Sequence, residues 1–504
     1  MNAPKPSPAL TNREAAVDMP PEEFRRLAHR LVDQISDQLA AIPTGPVKPD
    51  ESHEAVRQAI GGAATLPENG AAADGLLAAA TQSLFDHSLF NSHPRFFGYI
   101  TSGPALIGVL GDFLASAVNP NVGAYKLAPL ATEIEGQTVR WLAELIGYPA
   151  DCGGLLVSGG NMANFVGFLA ARRVKADWNV RQTGMAGNPG GRLRLYASKE
   201  THTWIQKAAD LFGLGTDSIR WIAADSRQRM DLAALRGRID SDIADGERPF
   251  LVIGTAGSVS TGAVDPLPEI AAICREYDLW FHVDGAYGAV AAQAEDVPSD
   301  LRGLAEADSV AVDPHKWLYA PIEAGCTLVR DPEHLRNTFS YHPPYYHFDK
   351  GAINYFDLGP QNSRGFRALK VWLALRQAGR AGYTRMIADD ISLAKHFHDL
   401  LENHEELEAL TQGLSITTFR YIPADLRDRA GQETTRDYLN QLNQELLDRI
   451  EGSGEAFFSN AVIEGKFALR LCVVNFRTTL KDIEALPALI TRLGREVDGV
   501  LRPR

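Results

Sequence analysis

Asp308-Ser-Val-Ala-Val-Asp-Pro-His315-Lys316-Trp317-Leu318 is the stretch on which the reading of this chain turns. Ser309 to Val312 is a short β-type run. Asp313-Pro314 stops it, because proline lacks the N–H that a ladder needs and favours a turn. A lysine follows at once. Lys316 is thereby expected at a strand end beside Trp317 and Leu318, apolar surroundings that disfavour an ammonium. They favour instead the free amine that condenses with aldehydes. Taken alone the segment is weak, since most lysines are solvated loop residues.

Outward from this turn, short β-type runs alternate with helical ones between about Pro94 and Leu375. Leu193 to Ala197, Ile219 to Ala223, Phe250 to Gly254 and Leu279 to Val283 read as strands. Thr203 to Leu211, Asp231 to Arg238 and Leu267 to Tyr277 read as helices between them. Such alternation predicts an α/β fold with a mostly parallel sheet covered on both faces. Sheets of that kind collect ligands at the carboxyl ends of their strands. The last 125 or so residues mix helices (Leu393 to Leu401, Tyr438 to Ile450) with a strand pair (Leu414 to Tyr421, Ala468 to Asn475), which predicts a small α+β domain. Residues 1–20 read as a flexible tail, 21–95 as a helical arm, 96–378 as the large domain and 379–504 as the small one. In the arm, Phe24, Leu27, Leu31, Ile35 and Leu39 recur at helical spacing. That stripe suits a helix docked on its own domain or one packed on a partner subunit equally well.

Three more strand ends carry chemistry. Leu279-Trp-Phe-His-Val-Asp284-Gly-Ala286 places a carboxylate where it can face a cationic ring nitrogen, with small residues leaving room for a flat ligand. Leu155-Leu-Val-Ser158-Gly-Gly160-Asn161 reads as strand, glycine turn and helix start, whose N–H groups bind phosphate well. It is neither a Walker loop nor a G-x-G-x-x-G fingerprint. Ser198-Lys-Glu-Thr-His202 offers an imidazole that can stack on an aromatic ring. Each piece has a bland reading: a solvated turn carboxylate, a common Gly-Gly turn, a helix-start histidine. Together they supply an aldehyde-capturing lysine, an acid for a ring nitrogen, a stacking group and a phosphate cradle, the set that pyridoxal 5'-phosphate requires of a protein.

The combination resembles the group II pyridoxal phosphate-dependent amino acid decarboxylases, which include aromatic-L-amino-acid, tyrosine and glutamate decarboxylases. The carrying motifs are His282-Val-Asp284-Gly-Ala286 and Asp313-Pro-His315-Lys316-Trp317, with Ser158-Gly-Gly-Asn161, His202 and His93-Pro-Arg-Phe-Phe-Gly-Tyr99. The resemblance runs from about Met19 to the end. It implies fold type I, aspartate aminotransferase-like, with a seven-stranded-type central sheet. It also implies an intertwined homodimer with the active site at the subunit interface. Lys316 would hold the cofactor as a Schiff base, Asp284 would pair with the pyridine nitrogen, and His202 would stack on the ring. Ala286 would pack against the ring, Gly160, Asn161 and His315 would contact the phosphate or its surroundings, and Asp313 would belong to the cofactor-binding set. Tyr345, in Tyr341-His-Pro-Pro-Tyr345-Tyr346, matches a family tyrosine that completes protonation of substrate. Related aldehyde synthases carry phenylalanine there.

Departures from the family pattern bear on substrate. Asn161-Met162 stands where many relatives have Thr-Glu or Ser-Glu, and Val259 where several have a threonine near the cofactor. Gly123 and Ile100 lie where aromatic-specific members carry phenylalanines. An acidic substrate would need a placed arginine, for which Arg95, Arg364 and Arg470 are candidates. The leading expectation is decarboxylation of an aromatic L-amino acid to its amine and CO2. The alternatives are an acidic amino acid (glutamate, aspartate or cysteine sulfinate), an aldehyde synthase or carbon–carbon lyase on the same scaffold, and a non-catalytic regulator. The last predicts loss of Lys316, Asp284 or His202, and all three are present.

Composition bounds the rest. With 50 Lys and Arg against 63 Asp and Glu the net charge is −13, which argues against a general nucleic-acid or anionic-membrane binder. Cys152, Cys274, Cys326 and Cys472 form no C-x-x-C pair, so neither a metal site nor a disulfide framework is expected. The N-terminus lacks the apolar run of a signal peptide. Leu106 to Val118 is interrupted by Asp112 and too short to span a bilayer. A cytoplasmic enzyme acting on a small amino acid is the expectation.

Overall fold

The computed structural model describes residues 15–342 and 351–502. Its centre is a seven-stranded sheet in the order β1-β7-β6-β5-β4-β2-β3. The strands are β1 (Gly153–Val157), β2 (Leu193–Ser198), β3 (Ile219–Ile222), β4 (Arg248–Thr255), β5 (Trp280–Asp284), β6 (Ser309–Val312) and β7 (Gly325–Val329). From β6 through β5, β4 and β2 to β3 every pairing is parallel, each step made by a helical crossover. Strand β7 runs antiparallel to both β6 and β1. The sequence reading missed β7. Its cause is local: the Lys316 turn sends the chain straight back without a crossover helix, and only antiparallel neighbours can be joined so briefly.

Burial explains why these strands read as unbroken apolar runs. Every residue of β1, β2, β5, β6 and β7 is buried, as expected of a sheet covered on both faces. Successive side chains feed opposite layers. Leu155, Val157, Leu251 and Ile253 join one core cluster, while Leu156 and Val252 join the other.

A second sheet, antiparallel and in the order β10-β11-β9-β8, lies toward the C-terminus. It comprises β8 (Leu407–Gly413), β9 (Ile416–Tyr421), β10 (Ser459–Ile463) and β11 (Lys466–Cys472). The expected strand pair is present as β9 with β11, each shorter than read. Strands β8 and β10 were missed because their polar, alternating sequences carry little apolar signal; β10 alternates buried and exposed along its length.

Five helices matter for the site. These are α1 (Pro21–Ala41), α2 (Leu106–Val118), α3 (Gly160–Lys175), α4 (Trp204–Leu211) and α5 (Ala368–Glu402). Helix α1 begins with proline at its first position and Glu22 and Glu23 in its first turn, which suits the positive helix N-terminus. Helix α3 ends with Arg172, Arg173 and Lys175 in its last turn, which suits the opposite pole. The helix expected at Leu393 to Leu401 is the end of α5, which is broken at Gly379 by a φ of 65°, a conformation glycine adopts without strain. Among the described residues no helix is long and apolar enough to cross a membrane. All four cysteines are free.

Candidate active site

Strands β1, β2, β4, β5 and β6 all point the same way, and their carboxyl ends open into one cavity of about 400 Å³. Asn161, His202, Thr255, Asp284, His315 and Lys316 line it. Gly160, Ala286 and Asp313 line it too. Residues separated by more than 150 positions in sequence thus meet because the sheet gathers its strand ends.

Lys316 stands on a turn closed by its own N–H donating to the Asp313 carbonyl at 2.9 Å. Its Nζ lies 3.8 Å from Asp313 Oδ2 and donates no hydrogen bond among the described residues. The apolar neighbours expected beside this amine are elsewhere. Trp317 and Leu318 point into the core and do not line the cavity. They anchor the turn instead. Trp317 Nε1 and the Tyr319 hydroxyl donate to Asp390 Oδ2 at 2.8 and 2.7 Å. Burial pushes the Asp390 carboxyl up to about 7. The Tyr287 ring stacks on Trp317 at 4.8 Å, and its hydroxyl meets Ser415 Oγ at 2.7 Å. The lysine turn is therefore clamped between the two sheets.

Asp284 closes β5 and is buried at the cavity wall. Its Oδ2 accepts from Trp204 Nε1 at 2.7 Å, and its Oδ1 accepts from the Ala286 N–H at 3.2 Å. A hydrogen bond to a charged group contributes about 1.5–3 kcal/mol. His202, exposed to the cavity, accepts the Trp204 backbone N–H on Nδ1 at 3.3 Å. Desolvation is the main cause that lowers the His202 pKa, with the cations Lys316 and Lys207 adding to it against Asp284, so its ring is neutral at neutral pH.

His282 serves the framework and lies behind the cavity wall. It is fully buried, and burial pushes its pKa down to about 4. Trp280 Nε1 donates to Ser309 Oγ at 2.9 Å, and that hydroxyl meets His282 Nδ1 at 2.7 Å. On the far side Nε2 meets Asn164 Oδ1 at 2.7 Å. A neutral imidazole with its proton on Nε2 satisfies every partner.

The turn from β1 into α3 has the expected strand, glycine turn and helix start. The Gly160 N–H is already taken, donating to Asp313 Oδ2 at 2.9 Å. Gly160 therefore ties the cradle to the lysine turn and does not offer its own N–H to an anion. Gly325 of the neighbouring strand is needed for this close approach, because a Cβ on it would sit 2.5 Å from the Gly159 carbonyl carbon. His315 Nδ1 lies 2.9 Å from Asp313 Oδ1 and accepts the Ala324 N–H at 3.2 Å. Its Nε2 has no partner among the described residues.

Comparison with known proteins decides the class. Residues 62–422 match the family model described as "Pyridoxal-dependent decarboxylase conserved domain". The chain belongs to the pyridoxal-dependent decarboxylase family. It is 34% identical over 481 residues to an aromatic-L-amino-acid decarboxylase from Bacillus atrophaeus, covering 94% of this chain and 96% of the relative. The crystal structure of mouse CSAD superposes with a TM-score of 0.88 at 27% identity, covering 94% of this chain and 99% of that one. That of Oryza sativa TDC with PLP and tryptamine superposes with a TM-score of 0.87 at 26% identity, covering 96% and 99%. The protein is a fold type I, pyridoxal phosphate-dependent amino acid decarboxylase.

The cavity fits that cofactor on its own evidence. Thr255 Oγ1 is buried at the cavity wall without a hydrogen-bond partner among the described residues. Cβ atoms added to Gly159 and Gly160 would meet His315 Cε1 at 3.1 Å and Asp313 Oδ2 at 3.0 Å, so the cradle keeps its space only as glycine. For a decarboxylase the other side of the account is substrate, and the three arginine candidates do not serve it. Arg364 is buried against Glu135 and the carbonyls of Val122 and Leu156. Arg470 donates to the Tyr99 carbonyl and Ser459 Oγ. Arg95 pairs with Asp482. None lines the cavity. Gly123 and Ile100 do not line it either; a Cβ at Gly123 would lie 2.1 Å from the Asn362 carbonyl oxygen. Val259 does line it. Tyr345 lies outside the described residues.

Sequence reasoning missed Trp204, Thr255, Tyr287 and Glu323. Trp204 follows His202 by two residues, and an indole opening a helix beside a strand-end histidine was the available signal. Thr255 ends a strand that had been read as stopping at Gly254. Nothing local marks Tyr287 or Glu323, whose positions depend on distant contacts.

Proposed function

We propose that this decarboxylase acts on an aromatic L-amino acid and releases its amine with CO2. The observation that carries the reading is the cavity wall: beyond Lys316 it presents His202, Thr255, Val259, Tyr287 and Met162, with no arginine among the described residues. A second carboxylate on the substrate would enter without a cation to meet it, and burying an unpaired charge is costly. The similarity to the Bacillus atrophaeus enzyme supports the same choice.

Bound pyridoxal phosphate supplies an aldehyde for the substrate amine and a protonated ring that withdraws electrons as CO2 departs. The chain's own groups divide the remaining work. Lys316 Nζ would hold the cofactor covalently. Asp284 would keep a proton at the ring nitrogen through its carboxylate. His202, neutral, would face the ring without adding a charge. Asn161, Thr255 Oγ1 and His315 Nε2 would orient the phosphate and its neighbourhood. Tyr345 would give its phenolic proton to the substrate's Cα.

The test is a panel of L-tryptophan, L-tyrosine and L-phenylalanine against L-glutamate and L-cysteine sulfinate, with CO2, amine and aldehyde quantified together. We expect kcat/KM for the best aromatic substrate to exceed that for either acidic one by about a hundredfold or more. Faster turnover of an acidic substrate overturns the reading. Aldehyde, ammonia and peroxide formed in step with CO2 would instead make the protein an aldehyde synthase.

The reading extends to a homodimer with the site at the subunit interface. Support comes from the apolar face shared by α1 and α2. Phe24, Leu110, Phe113, Leu114 and Val118 are exposed on it, and a groove of about 370 Å³ runs between the two helices. Contiguous exposed apolar surface of this kind marks an interaction site. Glu323 lines both the cavity and a neighbouring cleft bounded by Asp112 and Ser116 of α2, so that face continues to the cavity mouth. Leu110→Glu together with Leu114→Glu is expected to convert a particle of twice 54.9 kDa into a poorly active monomer in analytical ultracentrifugation. A fully active monomer would refute the interface. We read the setting as the cytoplasm, which the four free cysteines fit.

A further inference from the structure

Trp204 touches both groups that face the cofactor ring, by two different atoms. Its backbone N–H donates to His202 Nδ1 at 3.3 Å and its indole Nε1 donates to Asp284 Oδ2 at 2.7 Å. The side chain is wholly buried. It is held in that pose by His282, whose ring meets the indole edge-on at 5.7 Å and 79°. His282 is itself fixed between Asn164 and Ser309, so the indole has no slack in which to swing away.

We propose that Trp204 is a positioning residue that sets where the proton shared by Asp284 and the cofactor ring nitrogen resides. The inference rests on the reading of Asp284 as the ring nitrogen's partner. Its logic is elementary. An N–H that donates to a carboxylate stabilises the ionised form relative to the acid. The indole is a donor only, so it cannot accept a proton from Asp284 and cannot stabilise the neutral acid. With Oδ2 occupied by that donor and Oδ1 partly engaged by the Ala286 N–H, the carboxylate is a weaker competitor for the proton, which stays on the ring. The ring then remains an electron acceptor throughout turnover. The other titratable groups around Asp284 are His202 and the buried His282, with Lys316, Asp313 and His315 elsewhere on the cavity wall. His202 and His282, both with lowered pKa values, are neutral at neutral pH. The indole is thus the side-chain donor on Asp284 among the described residues. By fastening His202 through its backbone at the same time, one residue registers the stacking group against the acid.

The experiment uses full-length enzyme loaded with pyridoxal phosphate carrying 15N in the ring, titrated by NMR, alongside cofactor dissociation constants from the apoenzyme. Trp204→Phe keeps a ring and removes the donor. We expect its ring-nitrogen titration midpoint to fall by about one pH unit and its cofactor Kd to rise by about tenfold, the loss of one hydrogen bond to a charged group. Site-specific replacement of Trp204 by 3-benzothienylalanine, in which sulfur stands for the N–H, keeps the indole shape and should give the same shift even if Trp204→Phe folds poorly. A lowered Tm with an unchanged titration midpoint in the variant that folds overturns the proposal, because a merely structural tryptophan would behave so. Asp284→Asn separates the two layers. If it moves the 15N signal while the Trp204 variants do not, Trp204 alone is misassigned. If it leaves the signal unmoved, the pairing of Asp284 with the ring is wrong and the proposal falls with it.

Discussion

Lys316→Ala is expected to lose the Schiff-base absorbance band entirely and to lower kcat by about a thousandfold or more. The magnitude follows from what the amine does. On the proposed reading it is the covalent anchor, and losses of several orders of magnitude are usual when a group that forms a covalent intermediate is removed. Stability should change little. The amine donates no hydrogen bond in the described structure, and the turn is held by Trp317 and Tyr319 on Asp390. The checks are an absorbance spectrum, single-turnover kinetics and borohydride reduction followed by peptide mapping. Label on any residue other than 316, or turnover within tenfold of the native enzyme, would place the chemistry elsewhere.

Asp284→Ala is expected to lower kcat by about a hundredfold to a thousandfold, the usual loss when one preorganised electrostatic partner is removed. KM should change far less, because on the proposed reading the carboxylate faces the cofactor and its effect is felt where charge develops. The substitution also leaves Trp204 Nε1 buried without an acceptor, a desolvation penalty of about 1–3 kcal/mol. A fall in Tm should therefore accompany the fall in kcat. Asp284→Asn keeps an acceptor for the indole and should recover most of the Tm while leaving kcat low. That split separates the carboxylate's charge from its place in the packing. A variant with native kcat would show that the ring needs no anionic partner here.

Much of this was legible in the residues because the decisive features are local. Asp284, Lys316, His202 and the Gly159-Gly160 turn each end a short apolar run. In a sheet buried on both faces such runs are unbroken, so their ends stand out. The places where the reading failed are those where contacts from afar decide. Trp317 was expected beside the amine, yet it points into the core because a carboxyl 73 residues away accepts its indole proton. Nothing in the Gly159-Gly160 turn itself shows that the Gly160 N–H donates to Asp313 from across the sheet. Arg364 and Arg470 were open candidates for substrate until burial tied them to Glu135 and to Ser459.

By itself the sequence determined the α/β class, the family and the short apolar runs whose ends meet at the cavity, and it nominated Lys316 as the covalent lysine, because periodicity and turn chemistry act over a few residues. The tertiary structure alone decided the antiparallel strand β7, the absence of arginine from the cavity wall among the described residues and the tie between Trp204 and Asp284. Those depend on which surfaces meet when the sheet closes, and no span of neighbouring residues encodes that.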